Sequence, residues 1–281
     1  MMNEQALKDR LQTIARERGI PFNACWKQLL LERFLTRLSG STHSNKFIFK
    51  GGFLLSYLME IGRETMDLDF LLTRMNAEGN ELRKIFEEII SVHSDDGFVF
   101  SFHSLQTLNQ PHTNYPGYRV VLNTTFAKMK DKIQVDIGIG DVVEPLTREI
   151  PLIQYRGKPF FEIAVSLLVY PLETIFSEKL ETILSKGASN SRMKDYHDLI
   201  LLIRGKGLNI EKLKKAVSST FSHRGTSFRP IEFDEASQKA LQKLWAAHLQ
   251  GLGDNARDLS LPKNISIVIE EINEHVAFFK K

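Results

Sequence analysis

Apolar residues recur at helical spacing over the first forty positions and over the last third of the chain; the stretch between them alternates in the manner of strands. Residues 3–18 read as a polar amphipathic helix closed by Gly19, and 21–38 as a second helix carrying Trp26, Leu29, Leu30, Phe34 and Leu38. Ser39-Gly40-Ser41-Thr42 breaks that pattern. A short strand over 46–50 runs into Gly51-Gly52, a short helix over 53–61 ends at Gly62, and 66–72 suits a strand with Met66, Leu68 and Phe70 turned into a core. A helix is predicted over 77–93, then β-like runs at 97–103, 118–125, 132–139, 149–155 and 161–170. From Pro171 the spacing is helical again, at 172–186, 193–203, 209–221, 234–249 and 265–279. Strands followed by helices imply an α+β protein, with N-terminal helices, a sheet core and a helical C-terminal half meeting near Pro171.

Composition narrows the class without naming it. The chain of 281 residues is long enough to bury a sizeable core, and its 42% hydrophobic and 25% charged residues are ordinary for a globular protein. A net charge of +3 fits a polyanionic partner without requiring one. The single cysteine, Cys25, lies in an apolar-patterned stretch, where packing is its expected role; an internal disulfide is impossible, which fits a reducing compartment. The first residues are charged and lack an apolar signal core, and no apolar run reaches the length of a membrane span. A cytoplasmic protein without membrane contact is expected.

The chemistry concentrates in KFIFKGGFLLSYLMEIGRETMDLDFLL. Alternation along a strand sends Asp67 and Asp69 to one face. Two carboxylates aimed into one space repel unless a cation lies between them, and oxygen ligands favour magnesium, with manganese as its substitute. Gly51-Gly52 fits a backbone that approaches phosphate closely, its N–H groups aligned with the start of a helix. Asp136, flanked by apolar residues in the 132–139 strand, is costly to bury alone and would complete a two-metal site beside Asp67 and Asp69. The eight histidines form no H-x-x-x-H or H-E-x-x-H, and there is no G-x-S-x-G elbow or Walker lysine motif. Zinc, nucleophile-elbow hydrolase and P-loop chemistry are therefore not expected.

An apolar strand, G-G, about a dozen residues and D-x-D is similar to the nucleotidyltransferase pattern; here fourteen residues, 53–66, separate Gly52 from Asp67. Lys50-Gly51-Gly52 followed by Arg63-x-Thr65-x-Asp67-x-Asp69 resembles the signature of the AbiEii family of toxins. Glu178-Lys179, within Pro171 to Leu180, is similar to that family's second motif. Arg192-x-Lys194-Asp195-Tyr196-His197-Asp198-Leu199 is similar to its later one. The match runs in order over 46–203.

The resemblance implies a nucleotidyltransferase-like mixed β-sheet core. Residues 1–170 would hold the N-terminal helices and that core, and 171–281 a helical domain contributing to the active-site cleft. It also implies a nucleoside triphosphate donor, an RNA acceptor such as a tRNA 3′ end, and a winged-helix antitoxin as partner. Lys179 is then expected to contact the donor's triphosphate, and Glu178 to order the helix through a salt bridge. Arg63 would either meet phosphate or hold the D-x-D strand by a two-pronged carboxylate contact, and Thr65 would orient its loop. Asp195 and Asp198 share a helix face; Asp198 would orient a lysine, serve as base for the acceptor hydroxyl, or anchor to Arg192. His197 is expected at the surface. Lys186, Arg192, Lys194 and Arg204 form a basic cluster, either receiving RNA phosphates or simply solvated. Transfer to a protein or a small molecule, and a non-catalytic nucleotide-binding regulator of the same fold, are the alternatives.

Overall fold

In the computed structural model, which describes residues 2–73, 79–108, 117–141 and 143–280, the chain forms two units that interleave in sequence. The first draws on 1–58, 64–140 and 145–169, the second on 59–63, 141–144 and 170–281.

The first unit opens with α1 (Glu4–Arg18). The Asn3 side chain accepts a hydrogen bond from the Ala6 N–H at its start, and Gly19 closes it in the left-handed conformation that a Cβ disfavours. After α2 (Phe22–Ser39) come β1 (Phe47–Lys50), α3 (Gly51–Leu58), β2 (Asp67–Leu72) and α4 (Gly79–Ile90). The strands β3 (Phe98–Leu108), β4 (Gly117–Phe126), β5 (Met129–Ile139), β6 (Leu146–Pro151) and β9 (Ala164–Val169) complete a mixed sheet in the order β3-β4-β5-β2-β1-β9-β6. The pairs β2–β5 and β1–β9 are parallel and the remaining pairs antiparallel. A two-stranded ribbon of β7 (Gln154–Tyr155) and β8 (Lys158–Pro159) stands apart. Pro151 lies on the edge strand β6, where a missing N–H breaks no interior ladder.

One side of the sheet is packed with aromatic rings. Phe34 stacks on Phe86 at 5.7 Å between centroids, and Phe47 meets Phe70 and Phe86 edge-on at 5.8 and 5.9 Å. Buried Arg37 donates to both oxygens of Asp96, at 2.8 and 2.9 Å, and to the Phe98 carbonyl, which fixes the entry into β3. The alternation along β4 and β5 decides what faces the other way. Val120, Leu122, Ile133, Val135 and Ile137 are buried, while Arg119, Val121, Gln134 and Asp136 between them keep part of their surface.

The second unit is helical: α5 (Leu172–Lys186), α6 (Met193–Arg204), α7 (Ile210–Arg224), α8 (Glu235–Leu252), α9 (Asn255–Asp258) and α10 (Ile265–His275). Its core gathers Phe176, Leu180, Tyr196, Leu199, Ile200, Leu213, Trp245 and Ile272, all fully buried, with the Trp245 indole N–H donating to the Pro262 carbonyl. No helix among the described residues is long and apolar enough to cross a membrane.

The α+β class and the order of elements follow the pattern of the sequence; several boundaries do not. The helix expected over 53–61 starts at Gly51 and stops at Leu58. Of the helix expected over 77–93, residues 77 and 78 lie outside the described residues and the helix itself is Gly79–Ile90. The 149–155 run divides into β6 and β7 around buried Leu152 and Ile153. The 97–103 strand continues to Leu108 because β4 supplies a partner along that whole length. Met66 was expected in the core with Leu68 and Phe70, but it precedes the first paired residue of β2 and is 43% exposed.

Candidate active site

β1 delivers the chain to Gly51, whose φ is +76°. A Cβ built there would lie 2.0 Å from Oδ2 of Asp69 and 2.6 Å from its Cγ. The bare α-carbon of Gly51 is therefore the seat of the Asp69 carboxylate. The sequence expectation assigned this diglycine to phosphate; the space that the missing side chain frees at Gly51 is taken by Asp69. Gly52 forms the first turn of α3, whose Phe53, Leu54 and Leu55 are buried and hold the turn against the sheet.

Strand register assembles the rest. Lys50 of β1 pairs with Asp69 of β2, Asp69 with Asp136 of β5, and Asp136 with Arg119 of β4. Residues in register share a face, so four neighbouring strands present a lateral row with charges plus, minus, minus, plus. Asp67, two residues before Asp69, joins them on that face. The structure thus brings Asp67, Asp69 and Asp136 onto one face of the sheet, beside Gly51. Arg119 holds Asp136 with two prongs, Nε to Oδ1 and Nη2 to Oδ2, each 2.8 Å. That bond raises the pKa of Arg119 above its ordinary value, with Asp67 and Asp69 adding to the same direction.

The donor set suits a hard divalent cation in part. Asp67 and Asp69 offer carboxylate oxygens from one face of β2, the ligand chemistry that magnesium and manganese prefer. Asp136 is in register to be a third ligand, but both its oxygens face Arg119. Among the described residues no three His, Cys, Asp or Glu side chains converge closely enough to hold a metal.

The later motifs meet in a second cluster, in the helical unit. Asp198 of α6, with no exposed surface, accepts two bonds from Arg63 (Nε 3.0 Å, Nη2 2.7 Å), and Lys179 Nζ of α5 lies 2.7 Å from its Oδ2. Lys179 also reaches Asp195 at 3.2 Å, and Asp195 in turn meets Arg192. Burial alone would push the Asp198 carboxyl up; Lys179 and then Arg63 outweigh it and hold the value at about 2. Burial likewise works against the Lys179 ammonium, yet Asp198 and Asp195 raise its pKa above the ordinary lysine value.

The contacts these residues make differ in part from those expected. Arg63 clamps Asp198 of α6 rather than a carboxylate of the D-x-D strand. Asp198 orients Lys179 and does not pair with Arg192; Arg192 pairs with Asp195 instead. Glu178 meets Arg224, which Asp141 and Glu181 also reach. His197 is fully buried rather than at the surface, because α6 is covered on nearly every side; its Nδ1 meets His248 Nε2 at 2.8 Å, and burial holds its pKa down at about 4. Within the basic cluster, Arg204 is committed to Glu271 and the Ser260 carbonyl. Thr65 sits half-buried in the extended segment just before β2.

The family model described as the nucleotidyl transferase AbiEii toxin of type IV toxin–antitoxin systems matches residues 33–271. The chain belongs to this family. The AbiEii match takes in the diglycine, all three aspartates of the sheet and the Lys179–Asp198 cluster. Among solved structures, JHP933 from Helicobacter pylori is similar over 92% of this chain and 95% of that one, at 15% identity and a TM-score of 0.49. An antigenic nucleotidyltransferase-like protein from Paracoccidioides brasiliensis is similar over 71% of this chain and 88% of that one, at 15% identity and a TM-score of 0.38. No curated relative matches this AbiEii chain.

Sequence reasoning gave no role to two members of the charged row. Lys50 was visible as part of K-G-G, and its place at the end of β1 next to Gly51 was the available signal. Arg119 carried no signal at all: it acquires its partner only through the β4–β5 register.

Proposed function

We propose that this AbiEii-family protein transfers a nucleoside monophosphate from a nucleoside triphosphate to an RNA hydroxyl, with a tRNA 3′ end as the acceptor class. The observation that carries the proposal is the register of Asp69 with Asp136, with Asp67 on the same face and Gly51 beneath Asp69. Asp67 and Asp69 would hold magnesium or manganese, with Asp136 as the third carboxylate. A bound divalent cation supplies charge neutralisation at the triphosphate and makes the acceptor hydroxyl more acidic.

The remaining chemistry belongs to the chain. The N–H groups of the first turn of α3, Gly52 among them, receive phosphate oxygens. Asp136 takes the proton of the acceptor hydroxyl as its oxygen bonds to the α-phosphorus; the bond from that phosphorus to the bridging oxygen breaks and pyrophosphate leaves. Lys179 is assigned to phosphate charge, its ammonium kept protonated and aimed by Asp195 and Asp198. Arg63 and Thr65 support the cluster and the approach to β2 in this reading. The family's toxin–antitoxin pairing makes a winged-helix antitoxin the proposed protein partner.

The test is incubation with each labelled triphosphate, magnesium or manganese, and separate RNA, protein and aminoglycoside acceptors. Label in RNA 3′ ends is the expected result, and Asp69→Asn should lower it at least about a hundredfold while leaving the fold intact, since a lost metal ligand removes transition-state charge stabilisation. Label only in protein or in the small molecule would replace the RNA acceptor. Absence of label in all three would refute the transferase reading.

A further inference from the structure

A carboxylate meant for a cation should not already be held by an arginine, yet Asp136 is. Both its oxygens lie 2.8 Å from the guanidinium of Arg119. The position itself suits a cation site: the Cα of Asp136 is opposite that of Asp69, and Asp67 is on the same face. Arg119 therefore holds the Asp136 carboxylate from the β4 side, across from Asp69 on β2, and takes up both oxygens that a cation shared with Asp69 would need.

Exposure separates this clamp from the structural ones in the same chain. The side chains of Arg37 and Asp96 are 3% and 1% exposed, and those of Arg63 and Asp198 7% and 0%. Those of Arg119 and Asp136 are 36% and 20% exposed. A buried clamp cannot open without stranding charge in an apolar interior, whereas one in contact with water exchanges partners at little cost. Arg119, Val121 and Asn123 alternate along β4 with buried Val120 and Leu122 and keep part of their surface, so the Arg119 side chain lies on the wetter face of the strand.

We propose that Arg119 is a positioning residue that holds Asp136 off the divalent cation until the donor arrives, and then gives up the carboxylate and turns to the donor's phosphates. The guanidinium's positive charge limits repulsion among Asp67, Asp69 and Asp136, and its hold on Asp136 keeps the protein from loading metal without the donor. Its fork suits a phosphate as well as it suits a carboxylate. The inference rests on the reading that the three aspartates face a divalent cation.

The experiment is a manganese titration of the full chain without nucleotide, read by the electron paramagnetic resonance of free Mn²⁺. Wild type, Arg119→Gln, Arg119→Lys, Asp136→Asn, Asp69→Asn and the double variant Arg119→Gln/Asp136→Asn are compared, each checked for a native thermal transition. Arg119→Gln should bind Mn²⁺ about fivefold more tightly than wild type, the upper range for release of an exposed ion pair, and Arg119→Lys, which keeps the charge and loses the fork, should fall between. In the Asp136→Asn background the substitution at 119 should have no effect, because there is then no carboxylate to release. Unchanged binding in Arg119→Gln overturns the proposal. So does an equal gain in the Asp136→Asn background, which would show only the removal of a nearby positive charge. If Asp69→Asn weakens Mn²⁺ binding while Arg119→Gln does nothing, the metal reading stands and the clamp fails alone; if neither wild type nor any variant binds Mn²⁺, both fall.

Discussion

Asp198 shows how one side chain organises a cluster. It has no exposed surface and carries a single negative charge between the cations of Lys179 and Arg63. Such a charge contributes little net stability while paired, because its desolvation offsets the attraction, but removing it strands what it held. Asp198→Asn should therefore lower the unfolding free energy by about 3 kcal/mol, measured by urea denaturation. Asp195 still reaches Lys179, so the loss falls chiefly on Arg63, whose two prongs both rest on Asp198. A change below about 0.5 kcal/mol, the range of ordinary surface substitutions, would mean that the three-residue cluster is not holding α5 and α6 together. The cluster also bears on the role proposed for Lys179: an ammonium whose pKa is raised, not lowered, suits phosphate neutralisation and is unsuited to act as a base.

At the scale of elements, the turn from β1 into α3 and the strand β2 form one device. Gly51 is required twice over, by its φ of +76° and by the Asp69 carboxylate in the place where a Cβ would stand. Gly51→Ala should cost about 1–3 kcal/mol of stability and, because Asp69 must shift, reduce transfer at least as far as Asp69→Asn does. A fully active Ala variant would disprove the seating of Asp69 on Gly51. Much of this device was legible in the sequence. Strand alternation put Asp67 and Asp69 together, and the apolar neighbours of Asp136 marked it as an acid inside a sheet. What could not be read was anything fixed by register between strands. Arg119 and Asp136 are seventeen positions apart and meet only because the β4–β5 hairpin turns between Phe126 and Met129; shifting that turn by one residue would send Arg119 to the opposite face. His197 was misplaced for a related reason: it points away from the face shared by Asp195 and Asp198, but α5, α8 and α10 all pack on α6. Arg63 found a partner 135 positions away, beyond the reach of any local pattern.

For the whole molecule, the interleaving of the two units decides what a fragment can do. The helical unit is not simply the chain after Val169, since it includes 59–63 and 141–144. Those short segments carry more than connection. Residues 59–63 bring buried Ile61, the Gly62 carbonyl that accepts from the Asn255 amide, and Arg63 on Asp198. Residues 141–144 bring Asp141 to Arg224. A protein cut at residue 170 leaves the helices with Asp198 lacking one of its two cations and Arg224 lacking one of its acids. The sheet unit loses none of its own segments in the same cut, and it keeps the Arg37–Asp96 clamp and the whole charged row. Expressed separately, 1–169 should unfold cooperatively and 170–281 should not, as judged by the sharpness of the thermal transition in circular dichroism. A cooperative transition of 170–281 at the midpoint of the intact chain would show that the inserted segments contribute nothing to the helical core. The ion pairs of Arg63 and Arg224 would then be incidental to its stability.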